Sequence, residues 1–364
     1  MPWSFLLTDH AGVNLAELTT AAGRRLTFRR NTYAEATCTI AHEDDAAARL
    51  LDALANAGIP ALKAYRDGVL RFNGQLAPFT EEAEEASALH LVFRSPFARL
   101  LGDGSGTGRF TAAAVAFTAT DAGLIAKSLI DTTNTDSPTG IATTAGGITA
   151  SKTRDRTYQH ANVGKAIIDL SAVLDGYDFY ETFVDEGATR AYFNAVPRQG
   201  VDQPSARFEY GADTLGNVRS VQRATQPPVN VVTVIGGNGL IAQKSDATSI
   251  LKYGRWPAQA SYTDVIEQAT LDDKALALLR PDPIKTVTFA PEPALAPSPW
   301  DDFWLGDTIR LYVRREAFTE DVQVRVNGIT VAIDDSGLEV FEVQDPQAPG
   351  EEAALRASLA VEVV

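Results

Sequence analysis

The sequence predicts an α+β protein rich in β-strands, arranged as a β-rich unit, an α+β insert and a second β-rich unit. Short runs of alternating apolar and polar residues, bounded by turn residues, recur over the first hundred positions and again from about residue 225. Between them stand two stripes at helical spacing. Ala122, Ile125, Ala126, Leu129 and Ile130 share one face in TATDAGLIAKSLIDTTN, and Val163, Ala166, Ile167, Leu170 and Leu174 share one in NVGKAIIDLSAVLDG. The glycine-rich GDGSGTG at 102–108 breaks the composition between the first unit and the insert. The expected units are therefore 1–102, 103–222 and 223–345, followed by a tail, 346–364.

In the first unit RLTFRR and EATCTI read as strands. HEDDAAARLLDALANAG reads as a helix with Ala47, Leu50, Leu51, Leu54 and Ala57 inward, an acidic first turn, and Gly58 and Pro60 to end it. ALKAYRDGVLRFNGQL reads as a hairpin around Asp67-Gly68, because that pair tolerates the positive φ of a two-residue turn. In the insert, Asn162 is placed to cap the second helix and Gly176 lies past its end; DFYETFVDE, TRAYFNAV and ARFEYG follow as strands.

The second β-rich unit opens with NVVTVIGGNG, a buried-strand run with a glycine turn, and ATSILKYGRW. Ser261 is placed to cap a helix over 261–280 with a break near Leu271-Asp272, and Pro281 and Pro283 stop it. Four prolines between 291 and 299 favour a stiff, extended connection. In DVQVRVNGITVAID, Asn327-Gly328 is a strong hairpin signal. A two-residue turn there sets Val326 opposite Ile329, Val324 opposite Val331 and Val322 opposite Ile333, with all six on one face. The tail, with its Pro/Gly break, is open to two readings: a mobile tail or an added edge strand.

The stretch DDFWLGDTIRLYVRR, 301–315, poses the functional question. Past a Leu-Gly-Asp turn, Ile309, Leu311 and Val313 share one strand face, and Arg310, Tyr312 and Arg314 share the other. The apolar side belongs to a core; the cationic side meets solvent, a nucleic acid, a substrate or a partner chain.

Composition narrows the choice. The 364 residues are 45% hydrophobic and 22% charged, ordinary for a globular chain. A net charge of −15 disfavours non-specific adhesion to DNA or anionic lipid. No apolar run approaches the roughly 20 residues of a spanning helix. MPWSFLLTDHAG lacks the basic start and apolar core of a signal peptide, so synthesis in a cytoplasm without a cleaved export signal is expected.

Cys38, the sole cysteine, sits in ATCTI as a small core residue, which rules out an intramolecular disulfide. The histidines, His10, His42, His90 and His160, are too dispersed for a paired metal motif. No nucleophile elbow, Walker loop or Rossmann fingerprint occurs, and adjacent acids such as Asp301-Asp302 and Asp334-Asp335 suit turns. GRRLTFRR and SKTRDRTY suit either an anionic ligand or a partner's acids. The expectation is no catalytic residue, no cofactor and no metal. Abundant hairpins and mixed-charge strand faces point to an assembly protein.

Several stretches together carry a resemblance. LLDALANAGIPALKAYRDGVLRFNGQL resembles the opening barrel of phage tail hub proteins, the baseplate hub or minor tail proteins of long-tailed phages of actinobacteria. TDAGLIAKSLIDTTNTDSPTGIATT with TRDRTYQHANVGKAIIDLSAVLDGYDF is similar to their middle module. VVTVIGGNG, SILKYGRW, FWLGDTIRLYVRR and VRVNGITVAID, in that order, resemble their second barrel. The matching elements include Lys252-Tyr253-Gly254-Arg255 and Leu305-Gly306-Asp307, and the likeness spans most of 20–345.

That resemblance implies two hub-type β-barrel domains forming a tube-like ring, with an inserted α+β module. It implies a homotrimer at the distal tail tip (the baseplate) of a siphovirus virion, adapting the six-fold tail tube and distal tail protein ring to a three-fold tip. It implies contacts with the tape measure protein and with tail tip or fibre proteins. DNA would pass through the lumen without specific binding, and no membrane anchor would be needed. Arg310, Tyr312 and Arg314 then become a candidate assembly surface rather than a substrate site. Two alternatives from other classes are a tail-tip cell-wall hydrolase and a receptor- or glycan-binding tail protein using Trp256, Trp300 or Trp304. For Trp300 and Trp304 the competing reading is packing.

Overall fold

The computed structural model describes residues 3–78, 88–102, 108–144, 146–148, 152–172, 176–211, 216–263, 265–315, 318–334 and 337–344. The tail 346–364 lies outside the described residues, as do Leu174, the centre of the glycine linker (103–107) and 335–336 of the Asp-Asp-Ser-Gly turn.

The first unit comprises β1 (Trp3–Thr8), β2 (Asn14–Glu17), β3 (Ala22–Arg29), β4 (Glu35–Ala41), α1 (Asp45–Asn56), β5 (Ala61–Arg66), β6 (Val69–Leu76), β7 (Ala88–Arg94) and the short α2 (Phe97–Leu101). Asp44 caps α1 by accepting from Ala46 N at 2.9 Å, and the helix buries Ala46, Ala47, Leu50 and Ala53. The Asp67-Gly68 turn forms as expected. Both residues have positive φ, 50° and 77°, and β5 pairs with β6 through Arg66 and Val69. In β4, Ala36, Cys38 and Ile40 face the core; burial pushes the Cys38 thiol up to about 12, against the nearby charge of Arg24.

The insert contains β8 (Val115–Asp121), α3 (Ala122–Asp136), β9 (Ile141–Ala142), β10 (Thr153–Tyr158), α4 (Val163–Ser171), β11 (Asp178–Glu186) and β12 (Thr189–Val196). Asn162 caps α4 by accepting from Lys165 N at 2.9 Å. The two helical stripes, with Phe179 and Phe193, make a core of their own running from Phe97 to Ala195. The β11–β12 hairpin leans on the first unit. Asp185 pairs with the buried Lys63 at 2.7 Å and accepts from Tyr65 Oη at 2.9 Å. Arg190, itself buried, donates to Asn73 Oδ1 at 3.1 Å and to the His10 carbonyl at 2.9 Å.

The remaining strands are β13 (Asp202–Tyr210), β14 (Val218–Gln226), β15 (Val231–Gly236), β16 (Ile241–Ser245), β17 (Pro257–Tyr262), β18 (Ile284–Pro291), β19 (Thr308–Arg315), β20 (Phe318–Arg325), β21 (Gly328–Ile333) and β22 (Glu339–Gln344). Helices α5 (Ala247–Tyr253) and α6 (Gln268–Leu278) lie among them. β13, which contains the ARFEYG strand expected in the insert, pairs with β19, and β14, which straddles the expected boundary at 222, pairs with β18.

The β14–β18 pairing encloses a small module. β16, β15 and β17 form its sheet, and Val232, Val234, Ala242, Val265, Leu271 and Ala275 form its separate core. Reciprocal hydrogen bonds between Val229 and Arg280, 2.8 and 2.7 Å, close its neck, beside Pro227, Pro228, Pro281 and Pro283.

Two sequence expectations fail here. The helix expected over 261–280 spans only Gln268–Leu278, because Ser261 lies in β17, paired in parallel with Ile235 of the apolar β15. There is no break at Leu271-Asp272: Leu271 is buried and Asp272 bonds Lys244 at 2.9 Å. The Asn327-Gly328 hairpin is also absent. Neither residue has the positive φ that a type I′ turn demands of both. β20 pairs with β19, whereas β21 pairs with β22 and β3, so the chain turns a corner between two sheets. Three separate partners satisfy the corner: Val326 N donates to Asp307 O (2.8 Å), Asn327 N to Gln344 O (3.1 Å), and Arg30 N to Asn327 O (2.9 Å). The expected face is nonetheless inward, with Val324, Val326, Ile329, Val331 and Ile333 buried.

The β21–β3 ladder joins the ends of the chain. It extends a single sheet of eleven strands in the order β14-β18-β22-β21-β3-β4-β7-β6-β5-β1-β2, open at β14 and β2 among the described residues. Leu26 and Phe28 meet Val331 and Ile329 across the seam, and one hydrophobic core runs through both β-rich units.

Candidate assembly surface

The Leu-Gly-Asp turn leads into β19 at a close approach of two backbones. Gly306 (φ 89°) lies against Gly200 (φ 82°), where a Cβ on Gly200 would fall 2.1 Å from the Gly306 carbonyl carbon. Asp307 fixes the turn with both carboxylate oxygens, accepting from Val201 N and Trp304 N at 2.8 Å each.

β19 is the middle strand of a three-stranded sheet, β13-β19-β20. Ile309, Leu311 and Val313 are fully buried, as the alternation predicts, and Arg310, Tyr312 and Arg314 lie half-buried on the opposite face. The register lines up Arg207, Arg310 and Gln323 in one row and Glu209, Tyr312 and Asp321 in the next. Arg207 stacks 4.0 Å above the Tyr312 ring and pairs with Glu209 at 2.6 Å. With its amide oriented so that the oxygen faces Arg310, Gln323 accepts from Arg310 Nη1 at 2.7 Å and Nη2 at 2.8 Å. Arg314 has no ion-pair partner among the described residues. This is a patterned, mixed-charge face with cations at its centre.

Sequence reasoning missed the junction behind this sheet. Asp178, at the start of β11, bonds Arg30 from the end of β3 and Arg325 from the end of β20, the latter at 2.6 Å. It also accepts from Gln199 N at 2.8 Å and Asn31 Nδ2 at 3.2 Å. Burial opposes its ionisation, but the charges of Arg30 and Arg325 and the Gln199 N–H outweigh it and hold the carboxyl below its usual range. One acid thus ties the insert to both β-rich units.

Trp300 and Trp304 stack on each other (centroids 4.9 Å apart) and meet Phe28 edge-on. The Arg66 and Arg71 guanidinium groups lie over the Trp300 ring at 5.2 and 5.3 Å. These rings are spent on packing, which leaves them poor sugar platforms. Among the described residues, no cluster of His, Cys, Asp or Glu has the grouping of a metal site. His90 Nδ1 and Thr39 Oγ1 share a hydrogen bond on the surface at 2.9 Å.

Compared with solved structures, the chain has the fold of phage tail proteins. The 43 kDa tail protein of prophage MuSo2 from Shewanella oneidensis aligns over 94% of this chain and 97% of its own, with a TM-score of 0.54 and 13% identity. The tail protein from Neisseria meningitidis MC58 aligns over 94% and 96%, with a TM-score of 0.53 and 13% identity. Prophage tail protein gp18 from Listeria monocytogenes EGD-e aligns over 99% and 100%, with a TM-score of 0.51 and 10% identity. No family model and no curated protein sequence matches the chain.

Proposed function

We propose that the chain is a non-enzymatic structural protein of a virion, the hub at the distal end of a long-tailed phage tail, of the actinobacteriophage kind its motifs resemble. The observation that carries this reading is the end-to-end agreement in fold with tail proteins, over 94% of the chain and 97% of the MuSo2 protein. The continuous sheet across both β-rich units supports it further, because two joined strand systems in one chain let a trimer present six similar positions to a six-fold tube. In this reading the two units form the tube-like ring, the insert and the small module lie on the side of the tail tip, and the lumen passes DNA without binding its sequence. The neighbours are the distal tail protein ring, the tape measure protein and the tip or fibre proteins. The face carrying Arg310, Tyr312 and Arg314 meets one of these neighbours or an adjacent copy.

The test combines mass photometry of the purified chain, alone and with a tail-ring protein, with immunolabelling of intact virions. A trimer that binds the ring and label confined to the tail tip are the expected results. A persistent monomer that binds no ring, together with label elsewhere on the particle, would sink the reading.

A further inference from the structure

We propose that the outer edge of β17, with the turn before it, is a docking site for an extended acidic segment of a partner polypeptide. The inference goes beyond the tail reading and does not rest on it.

The first observation is an edge without charge, guarded only by Pro257 at its first position. Proteins commonly protect edge strands with charges, which discourage pairing with foreign strands. The edge strands of the five sheets obey this pattern in β2, β8, β10, β11, β13, β14, β16 and β20, each of which carries at least one charged residue. β17, Pro-Ala-Gln-Ala-Ser-Tyr, carries none, and apart from the two-residue β9 it is alone in this. It pairs with β15 on one side and with no strand on the other among the described residues.

The second observation is a pair of exposed apolar side chains in the segment leading into that edge, one of them held in place. Leu251 is 90% exposed, more than any other large hydrophobic residue described, and Trp256 is 45% exposed. Trp256 is pinned rather than loose: its Nε1 donates to the Tyr253 carbonyl at 2.9 Å and its backbone N to Asn230 Oδ1 at 2.7 Å. The buried Asn230 also donates to the Gly254 carbonyl at 2.7 Å, and Gly254 takes a φ of 79°. A preorganised aromatic, five residues after an exposed leucine in the segment that leads into β17, loses little entropy on binding, the character of an interface anchor.

Charge selects the occupant. Lys252 and Arg255 are exposed on the same turn of a chain whose net charge is −15. The acids nearby are engaged: Asp246 caps α5 by accepting from Ser249 N (2.7 Å), and Asp282 accepts from Tyr253 Oη (3.2 Å). A segment that adds to β17 by main-chain hydrogen bonds, sets an apolar side chain on Leu251 and Trp256, and brings carboxylates to Lys252 and Arg255 satisfies all three features.

The experiment selects a displayed library of random decapeptides on the purified chain, with counter-selection on a Leu251→Ala/Trp256→Ala variant. Leu251→Asp, at an almost fully exposed position, serves as a second control that leaves the core untouched. Enriched peptides should alternate apolar residues with an excess of Asp and Glu. A synthetic winner should lose about tenfold in affinity on Arg255→Glu and should protect the backbone amides of 258–262 from hydrogen exchange. No enrichment beyond that on the controls, enrichment of basic peptides, or protection elsewhere would overturn the proposal. So would concentration-dependent self-association abolished by Leu251→Asp, which would assign the edge to a second copy of the chain.

Discussion

Arg325 reaches from the end of β20 to Asp178 at the start of β11, Nη2 to Oδ2, at 2.6 Å, and Arg30 takes the other carboxylate oxygen. Asp178→Ala leaves two partly buried guanidinium groups facing each other. The expected loss is about 2–4 kcal/mol, below the full cost of breaking a buried pair because both arginines are partly exposed. Urea unfolding of the two proteins measures it.

The same acid sets a pH response. Its carboxyl is held below the usual range, so its stabilising contribution is complete above the unfolded value near 4 and is lost as pH falls through the lower folded value. Asp178→Asn should flatten the fall in melting temperature on acidification below about pH 4. An unchanged acid slope would show that the junction is not charged.

Glu181 should act in the opposite direction. It accepts from Ser95 Oγ and from Phe97 N (2.9 Å), where burial raises its carboxyl to about 7 despite both hydrogen bonds. A raised folded value gives stability that is present below the unfolded value and is lost as pH rises toward 7. Glu181→Gln should remove this decline between about pH 5 and 8 in thermal melts, because the neutral amide mimics the protonated acid.

Two glycines separate the corner at Asn327-Gly328 from the turn at Gly306. A Cβ on Gly306 would lie 2.5 Å from the Gln199 carbonyl oxygen, at φ 89°, and neither backbone can yield. Gly306→Ala should cost about 3 kcal/mol or more. A Cβ on Gly328 meets the end of the flexible Gln344 side chain at 3.0 Å, with no positive φ, so Gly328→Ala should cost under about 1 kcal/mol. Chemical denaturation of both variants tests the contrast.

Charge reversal at Arg310 and Arg314 probes the proposed assembly face. These side chains leave the core residues Ile309, Leu311 and Val313 untouched, so melting should shift by no more than about 3 °C. Ring binding or trimer formation should fall by about tenfold or more. Unaltered assembly in mass photometry would move the interface elsewhere.

What the sequence made legible was local. The stripes of α1, α3 and α4, the Asn162 cap, the Asp67-Gly68 turn and the two faces of β19 all follow from neighbours within a few residues. The choice of partner is not local. Val324 and Val331 point inward whether or not β20 pairs with β21, so the pattern at Asn327-Gly328 could not distinguish a hairpin from a corner. The small module was hidden for the same reason, since β14 and β18 pair across residues 227–283. Pro227-Pro228 and Pro281 flank its neck, but Pro281 reads locally as a helix stop and Pro227-Pro228 carries no signal of pairing by itself. Asp178 gave none, because both its arginines lie more than a hundred residues away.

The β3–β21 seam has a consequence for the newborn chain. β3 emerges from the ribosome about three hundred residues before the strand that covers it. Until then the N-terminal half carries a bare edge beside Leu26 and Phe28, sticky toward any other nascent strand. Folding must therefore be slow to finish, dominated by its most distant pairing, and a holding chaperone has a natural place to bind.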